Sequence, residues 1–191
     1  MILSVWNKKG GVGKTSLSFS LAKDLDFNLI SNDDSSIEEC YEFAKIIKNI
    51  KIEENTVYDF GGFVDVKIEE VIKTSDIIIV PTIPSQNANI KTYQTVVFDL
   101  LETMGIDAKK IIIVIMKSDD SSLKLYKELF EEHPNISIVS MPSSRIFDKQ
   151  FEECKSVLQL ADSSPLTRYT YRRVLDAYNI LLEKIIQKTT N

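Results

Sequence analysis

Ile2-Leu3-Ser4-Val5-Trp6-Asn7-Lys8-Lys9-Gly10-Gly11-Val12-Gly13-Lys14-Thr15-Ser16 is the stretch on which the fold turns. Its opening apolar run has the length and pattern of a short buried strand. A glycine-rich turn follows, and a segment of helical period starts at Lys14. Glycines let backbone N–H groups converge on an anion with no Cβ in the way. The start of a helix adds its own unpaired N–H groups and positive dipole end. In that setting Gly10, Gly11, Val12, Gly13 and Ser16 line a phosphate cradle. Lys14 reaches the β- and γ-phosphates of a nucleotide, and the Thr15 hydroxyl ligates Mg²⁺. A chance glycine turn is the plain alternative, but the strand and helix on either side weigh against it.

Outward from this loop, apolar runs alternate with segments of helical period, the pattern of a layered α/β domain. Strands are predicted at 2–6, 27–31, 56–60, 76–81, 110–116 and 136–140. Ile77-Ile78-Ile79-Val80 and Ile111-Ile112-Ile113-Val114-Ile115 are apolar on both faces, as central parallel strands must be. Helices are predicted at 14–25, 36–50, 66–74, 120–132 and 144–158, after Asn87 as far as Gly105, and from Pro165 onward. The last of these buries Tyr171, Val174, Leu175, Tyr178, Leu181, Leu182, Ile185 and Ile186. With 191 residues the chain suits one domain spanning 1–191.

Composition narrows the function classes. The net charge of −5 argues against a chain coated for nucleic acid. Its four arginines, Arg145, Arg168, Arg172 and Arg173, nevertheless all fall in the last quarter, as a DNA-facing strip or as solvated surface. Cys40 and Cys154 form no zinc spacing and read as reduced thiols of a cytoplasmic protein. The first strand begins at residue 2, which leaves no room for a signal peptide, and no apolar run is long enough to span a membrane. His133 precedes Pro134 in a loop, and no nucleophile–base pattern for acyl transfer is present.

A nucleotide-hydrolysing domain of this kind needs carboxylates at the ends of strands beside the phosphate loop. Asp59, closing Val57-Tyr58-Asp59, suits Mg²⁺, and Gly62 completes Asp-x-x-Gly, a turn able to face a γ-phosphate. Ser31-Asn32-Asp33-Asp34 ends the second strand, where Asp34, Ser35 and Ser36 would serve equally as a helix cap. Met116-Lys117-Ser118-Asp119 looks like a guanine-reading motif that has lost its asparagine, or a cap of the next helix.

The usual G-x-x-x-x-G-K-[ST] pattern is broken, since its first glycine falls on Lys8, and an additional lysine, Lys9, precedes the glycine pair. In this the chain resembles the deviant-P-loop ATPases of the ParA/MinD family, and most of all the small ParA-type partition ATPases without a helix-turn-helix domain. The resemblance implies a three-layer P-loop NTPase fold, α/β, with a mostly parallel twisted sheet and helices on both faces. It implies ATP and Mg²⁺ as ligands and places Pro142 in a loop against the base, with GTP left open. The water-positioning aspartate falls on Asp33, or on Asp34 if the register shifts by one, and Ser31 stands where the family carries another aspartate. Lys9 would reach across a homodimer to the partner's phosphates, or else add a cation near its own. Lys8 is assigned no role.

Three functions are in view, two implied by the resemblance and the last by its departure at Ser31. One is ATP-driven DNA partition with non-specific DNA, a centromere-binding ParB-like partner and a nucleoid location. The others are a MinD-like positioning ATPase and a nucleotide-gated scaffold with little turnover. The polar tail Lys188-Thr189-Thr190-Asn191 disfavours membrane attachment, and the two cysteines do not fit the cluster-bearing electron donors of the superfamily.

Overall fold

The apolar runs pair as one seven-stranded sheet in the order β3-β2-β4-β1-β5-β6-β7. The computed structural model describes residues 1–32, 37–47, 50–62 and 65–189. The strands are β1 (Ile2–Val5), β2 (Asn28–Ser31), β3 (Ala44–Ile46), β4 (Thr56–Asp59), β5 (Ile77–Thr82), β6 (Ile111–Ser118) and β7 (Ser137–Pro142). Every pairing is parallel, so each connection must cross over a face of the sheet and helices cover both sides.

Alternation along the strands sorts side chains between two cores. Leu3, Val5, Ile77, Ile79, Ile112 and Val114 face one layer; its helices are α1 (Lys14–Leu25), α6 (Ile146–Glu153), α7 (Val157–Ala161) and α8 (Pro165–Thr189). Ile2, Ile78, Val80, Ile111, Ile113 and Ile115 face the other, built on α3 (Val66–Thr74), α4 (Gln86–Tyr93) and α5 (Asp120–Leu129). Burying each such branched side chain contributes about 1.5–3 kcal/mol.

Several expectations are corrected. The helix predicted over 36–50 is only the short α2 (Ile37–Cys40), after which Ala44–Ile46 pairs with Leu29–Ser31 as an edge strand. The helix predicted over 144–158 breaks at Cys154, whose φ of 50° ends α6 before α7 begins. Beyond α4 the helix widens into a π-helix over Gln94–Thr103. Ile186, predicted to be buried, is 57% exposed. Cys40 and Cys154 are not free thiols: they are joined as a disulfide, with Cα atoms 4.7 Å apart.

Candidate nucleotide site

β1 is the sheet's central strand, with β4 on one side and β5 on the other, and it delivers the chain to the glycine loop at its carboxyl end. Gly11 (φ 71°) and Gly13 (φ 87°) take left-handed conformations that a Cβ would strain, and Gly13 sits at the N-cap of α1. Asn7 fixes the loop from inside. Its buried amide donates to the Pro81 carbonyl at 2.8 Å and to Thr92 Oγ1 at 3.0 Å, and its Oδ1 accepts from Lys9 N at 2.9 Å. Lys14 is nearly buried, its ammonium donating to the Lys9 carbonyl at 3.3 Å. The Lys9 ammonium lies at an exposed position and donates to the Gly10 carbonyl at 3.1 Å.

Parallel register brings the acidic strand end beside the loop: Ser31 on β2 and Val5 on β1 both stand opposite Asp59. Asp59 Oδ1 accepts from Ser18 at 3.3 Å and Oδ2 from Ser31 at 3.2 Å, and Thr15 bonds the same carboxyl. Burial pushes the Asp59 pKa up, against the opposing pull of Thr15, Lys14, Ser31 and Ser18. A buried carboxylate ringed by hydroxyls suits a hard cation that keeps water and phosphate ligands, and Thr15, Asp59 and Ser18 would hold Mg²⁺. Among the described residues no cluster of three or more His, Cys, Asp or Glu side chains forms a protein-only metal cage, as such a cation requires none.

Beyond Asp59, Asn32 clamps the two strand ends together, its Oδ1 accepting from Gly61 N at 2.7 Å. A Cβ on Gly62 would lie 3.1 Å from the Lys8 carbonyl oxygen, so this turn rests directly on the glycine loop. Asp33 and Asp34 lie outside the described residues.

A cavity of about 420 Å³ opens over the loop, lined among others by Gly11, Gly13, Met116, Lys117, Pro142 and Arg145. Pro142 is thus on the rim of the same cavity as the glycine loop. Arg145 lines this cavity, whereas Arg168, Arg172 and Arg173 lie on α8. Arg168 pairs with Asp162 at 2.7 Å, and Arg172 stacks on the Tyr169 ring at 4.4 Å. Lys117 is held at φ 55° where the β6–β7 register slips, the kind of strained backbone that gathers at functional sites. Asp119 is committed elsewhere. It caps α5, accepting from Ser122 N, Ser122 Oγ and Ser121 Oγ, which hold its pKa down at about 2. The guanine-reading pattern therefore resolves into its helix-cap alternative.

Sequence reasoning missed Asn7 and Asn32 as positioning groups, and it missed Lys8, whose ammonium pairs with Asp99 on the π-helix at 2.8 Å. These bonds join residues distant in the chain, and no local pattern announces them. A larger cavity, about 920 Å³, lies beside Met1, Asp76, Lys109, Lys110, Lys184 and Lys188. It sits at the amino ends of the strands, away from the carboxyl ends where parallel sheets bind ligands.

No protein-family model and no curated protein matches this chain. Solved structures do. The MinC:MinD cell division protein complex of Aquifex aeolicus superposes with a TM-score of 0.65 at 13% identity, covering 95% of this chain and 95% of that one. An ATP complex of a Cyanothece McdA variant gives 0.62 at 13%, covering 93% and 96%. A plasmid partition protein of Borrelia burgdorferi bound to AMPPNP gives 0.59 at 15%, covering 93% and 97%. Over nearly its whole length, with the deviant glycine loop at the end of the central strand, the chain has the α/β fold of the ParA/MinD-like P-loop ATPases.

Proposed function

We propose that the chain is a ParA-like ATPase, binding ATP with Mg²⁺ and forming a homodimer with the nucleotide between two subunits. The observation that carries this reading is the division of labour between two lysines on one loop. Lys14 is drawn into the cradle, while the half-buried Lys9 carries its ammonium to the surface on a stem long enough to reach another molecule. Bound Mg²⁺ would neutralise charge between the β- and γ-phosphates. The chain's own groups do the rest. Backbone N–H groups from Gly10 to Thr15 bind the phosphates, Asn7 fixes the loop, and Asp33 orients the attacking water. The Gly62 turn, resting on Lys8, senses whether the terminal phosphate is present.

Triphosphate shared by two subunits supplies differential binding energy for the dimer, and hydrolysis withdraws it. Such a switch suits partition or positioning of cargo, with slow turnover stimulated by a ParB-like partner. The fold, and neighbours described as a partition protein and as MinD, support that class. Partition in a cytoplasmic, nucleoid-bound setting would use the α8 arginines on DNA. No helix among the described residues is long and apolar enough to cross a membrane.

The test is mass by light scattering in an Asp33→Ala background. ATP with Mg²⁺ should double the mass, ADP should not, and Lys9→Ala should stay monomeric while still binding ATP. An unchanged mass with every triphosphate would overturn the dimer. A scaffold with little turnover is the second reading. Ser31 favours it, because a hydroxyl bonded to Asp59 stands where an aspartate is expected. Phosphate release no faster than that of Lys14→Ala, even with DNA present, would select it.

A further inference from the structure

The disulfide lies at the carboxyl end of α1, the end away from the glycine loop, and joins two elements that lead to the candidate site. Cys40 closes α2, the helix reached directly after residues 33–36, which follow Ser31 and Asn32 at the end of β2. Cys154 forms the turn between α6 and α7, and α6 begins at the Arg145 edge of the cavity over the glycine loop. The two cysteines are 114 residues apart in sequence.

The α6–α7 turn is bolted to α1, the helix that starts in the phosphate cradle. Ser156 Oγ donates to Asp24, Val157 N donates to Ser20 Oγ at 3.0 Å, and Gln150 bonds the same serine. Lys23 on α1 spans both halves of the bridge. Its ammonium donates to the Cys154 carbonyl at 2.6 Å and to the Cys40 carbonyl at 3.3 Å, lying over the rings of Phe19 and Tyr41. On the α2 side, the Tyr41 hydroxyl donates to the Phe27 carbonyl at 2.7 Å. These bonds involve neither sulfur, so they survive reduction and bring the loosened cysteines back within reach of each other for re-oxidation. Both cysteines are only half-buried, and a surface cavity of about 350 Å³, lined among others by Lys23, Asp26, Tyr41, Glu42 and Gln159, borders Cys40. An ammonium beside a cysteine favours its thiolate, the form that exchanges.

We propose that Cys40 and Cys154 are a reversible thiol–disulfide site. Oxidation ties α2 to the α6–α7 turn and slows nucleotide turnover, and reduction releases it. The chemistry is exchange with a low-molecular-weight disulfide such as oxidised glutathione. The Cys40 thiolate attacks one sulfur of that disulfide and expels one small thiol. Cys154, as thiolate, then attacks the Cys40 sulfur of the mixed disulfide and expels the second. Two protein thiols are oxidised and one small disulfide is reduced to two thiols; excess reduced thiol runs the sequence backwards. The effect on turnover rests on the ATPase reading above, but the redox site and the tether do not.

The experiment equilibrates the full chain in buffers of stepped reduced-to-oxidised glutathione ratio, traps free thiols with a mass-tagged maleimide, and resolves the species on non-reducing gels. Both thiols should vanish together in one reversible two-electron transition, and Cys40→Ser or Cys154→Ser should abolish it. Hydrogen exchange should show amides of 37–46 exchanging severalfold faster in the reduced protein, with α1 unchanged. Phosphate release should rise severalfold on reduction in the native chain and be indifferent to redox buffer in Cys40→Ser. Thiols that stay open to alkylation in oxidised buffer would overturn the site, as would a bond that millimolar reduced glutathione never opens. Equal exchange of 37–46 in both states would overturn the tether, and equal release rates the control of turnover. Failure of the ATPase reading is distinct. There the native chain would bind no nucleotide in either state, while the thiol titration and the exchange difference persisted.

Discussion

Asp59 carries a charge that its surroundings disfavour, because burial outweighs the hydroxyls and the lysine that face it. Asp24, bonded to Ser156, is likewise pushed up by burial. A carboxyl that holds its proton more tightly folded than unfolded stabilises the fold fully below the ordinary value of 3.8, and that contribution is lost as pH rises through its folded pKa. We therefore expect Asp59→Asn to flatten the loss of stability between acid and neutral pH. In nucleotide-free protein at neutral pH it should raise Tm by about 2–4 °C for each kcal/mol relieved. If Asp59 holds Mg²⁺ as proposed, the same change should weaken Mg²⁺-dependent nucleotide binding at least ~10-fold. Calorimetry and a fluorescent-nucleotide titration check the two halves. Gly62 tests the opposite case, a residue defined by what it lacks. In Gly62→Ala the new Cβ meets the Lys8 carbonyl at 3.1 Å, and a backbone atom yields little. Destabilisation of about 1–2 kcal/mol, read from a urea transition, should accompany slower phosphate release.

Among elements, α7 depends most on a single side chain. Ser156 accepts from Gln159 N at 3.1 Å while Gln159 Oε1 accepts from Ser156 N at 3.1 Å, a reciprocal cap on a five-residue helix. Ser156→Ala should cost about 1–2 kcal/mol, seen as a lower denaturant midpoint with an unchanged slope. Elements were legible where local pattern and tertiary demand agree. The isoleucine runs of β5 and β6 and the 14–25 helix stand where periodicity put them. They failed where the two conflict. Ile37, Tyr41, Ala44 and Ile47 step at helical spacing, yet Ala44–Ile46 gains more by extending an open sheet edge. Nothing in Cys154 announces a left-handed cap, a position that glycine or asparagine usually fills. The site divides in the same way. The glycine loop and Asp59 are local motifs and were legible, whereas the Lys8–Asp99 pair and the Asn7 anchor exist only once β1 and the helix after β5 are side by side.

For the whole molecule, a net charge of −5 means that any DNA binding must come from a concentrated patch, not from bulk attraction. If a nucleotide-bound dimer doubles the α8 arginines, retardation of non-specific DNA should appear only with ATP and fade steeply with salt. Replacing Arg168, Arg172 and Arg173 with alanine should flatten the slope of log affinity against log salt by about 0.9 for each phosphate no longer neutralised. The order of strands carries a further consequence, for biosynthesis. Of the seven strands β1 is made first, yet its neighbours end at Asp59 and Thr82. At roughly 5–20 residues per second, the nascent chain spends several seconds with β1 lacking both of the strands it pairs with. Throughout that interval the glycine loop lacks the anchors that Pro81 and Thr92 give Asn7, so translation stalled before Thr82 would yield fragments for chaperones.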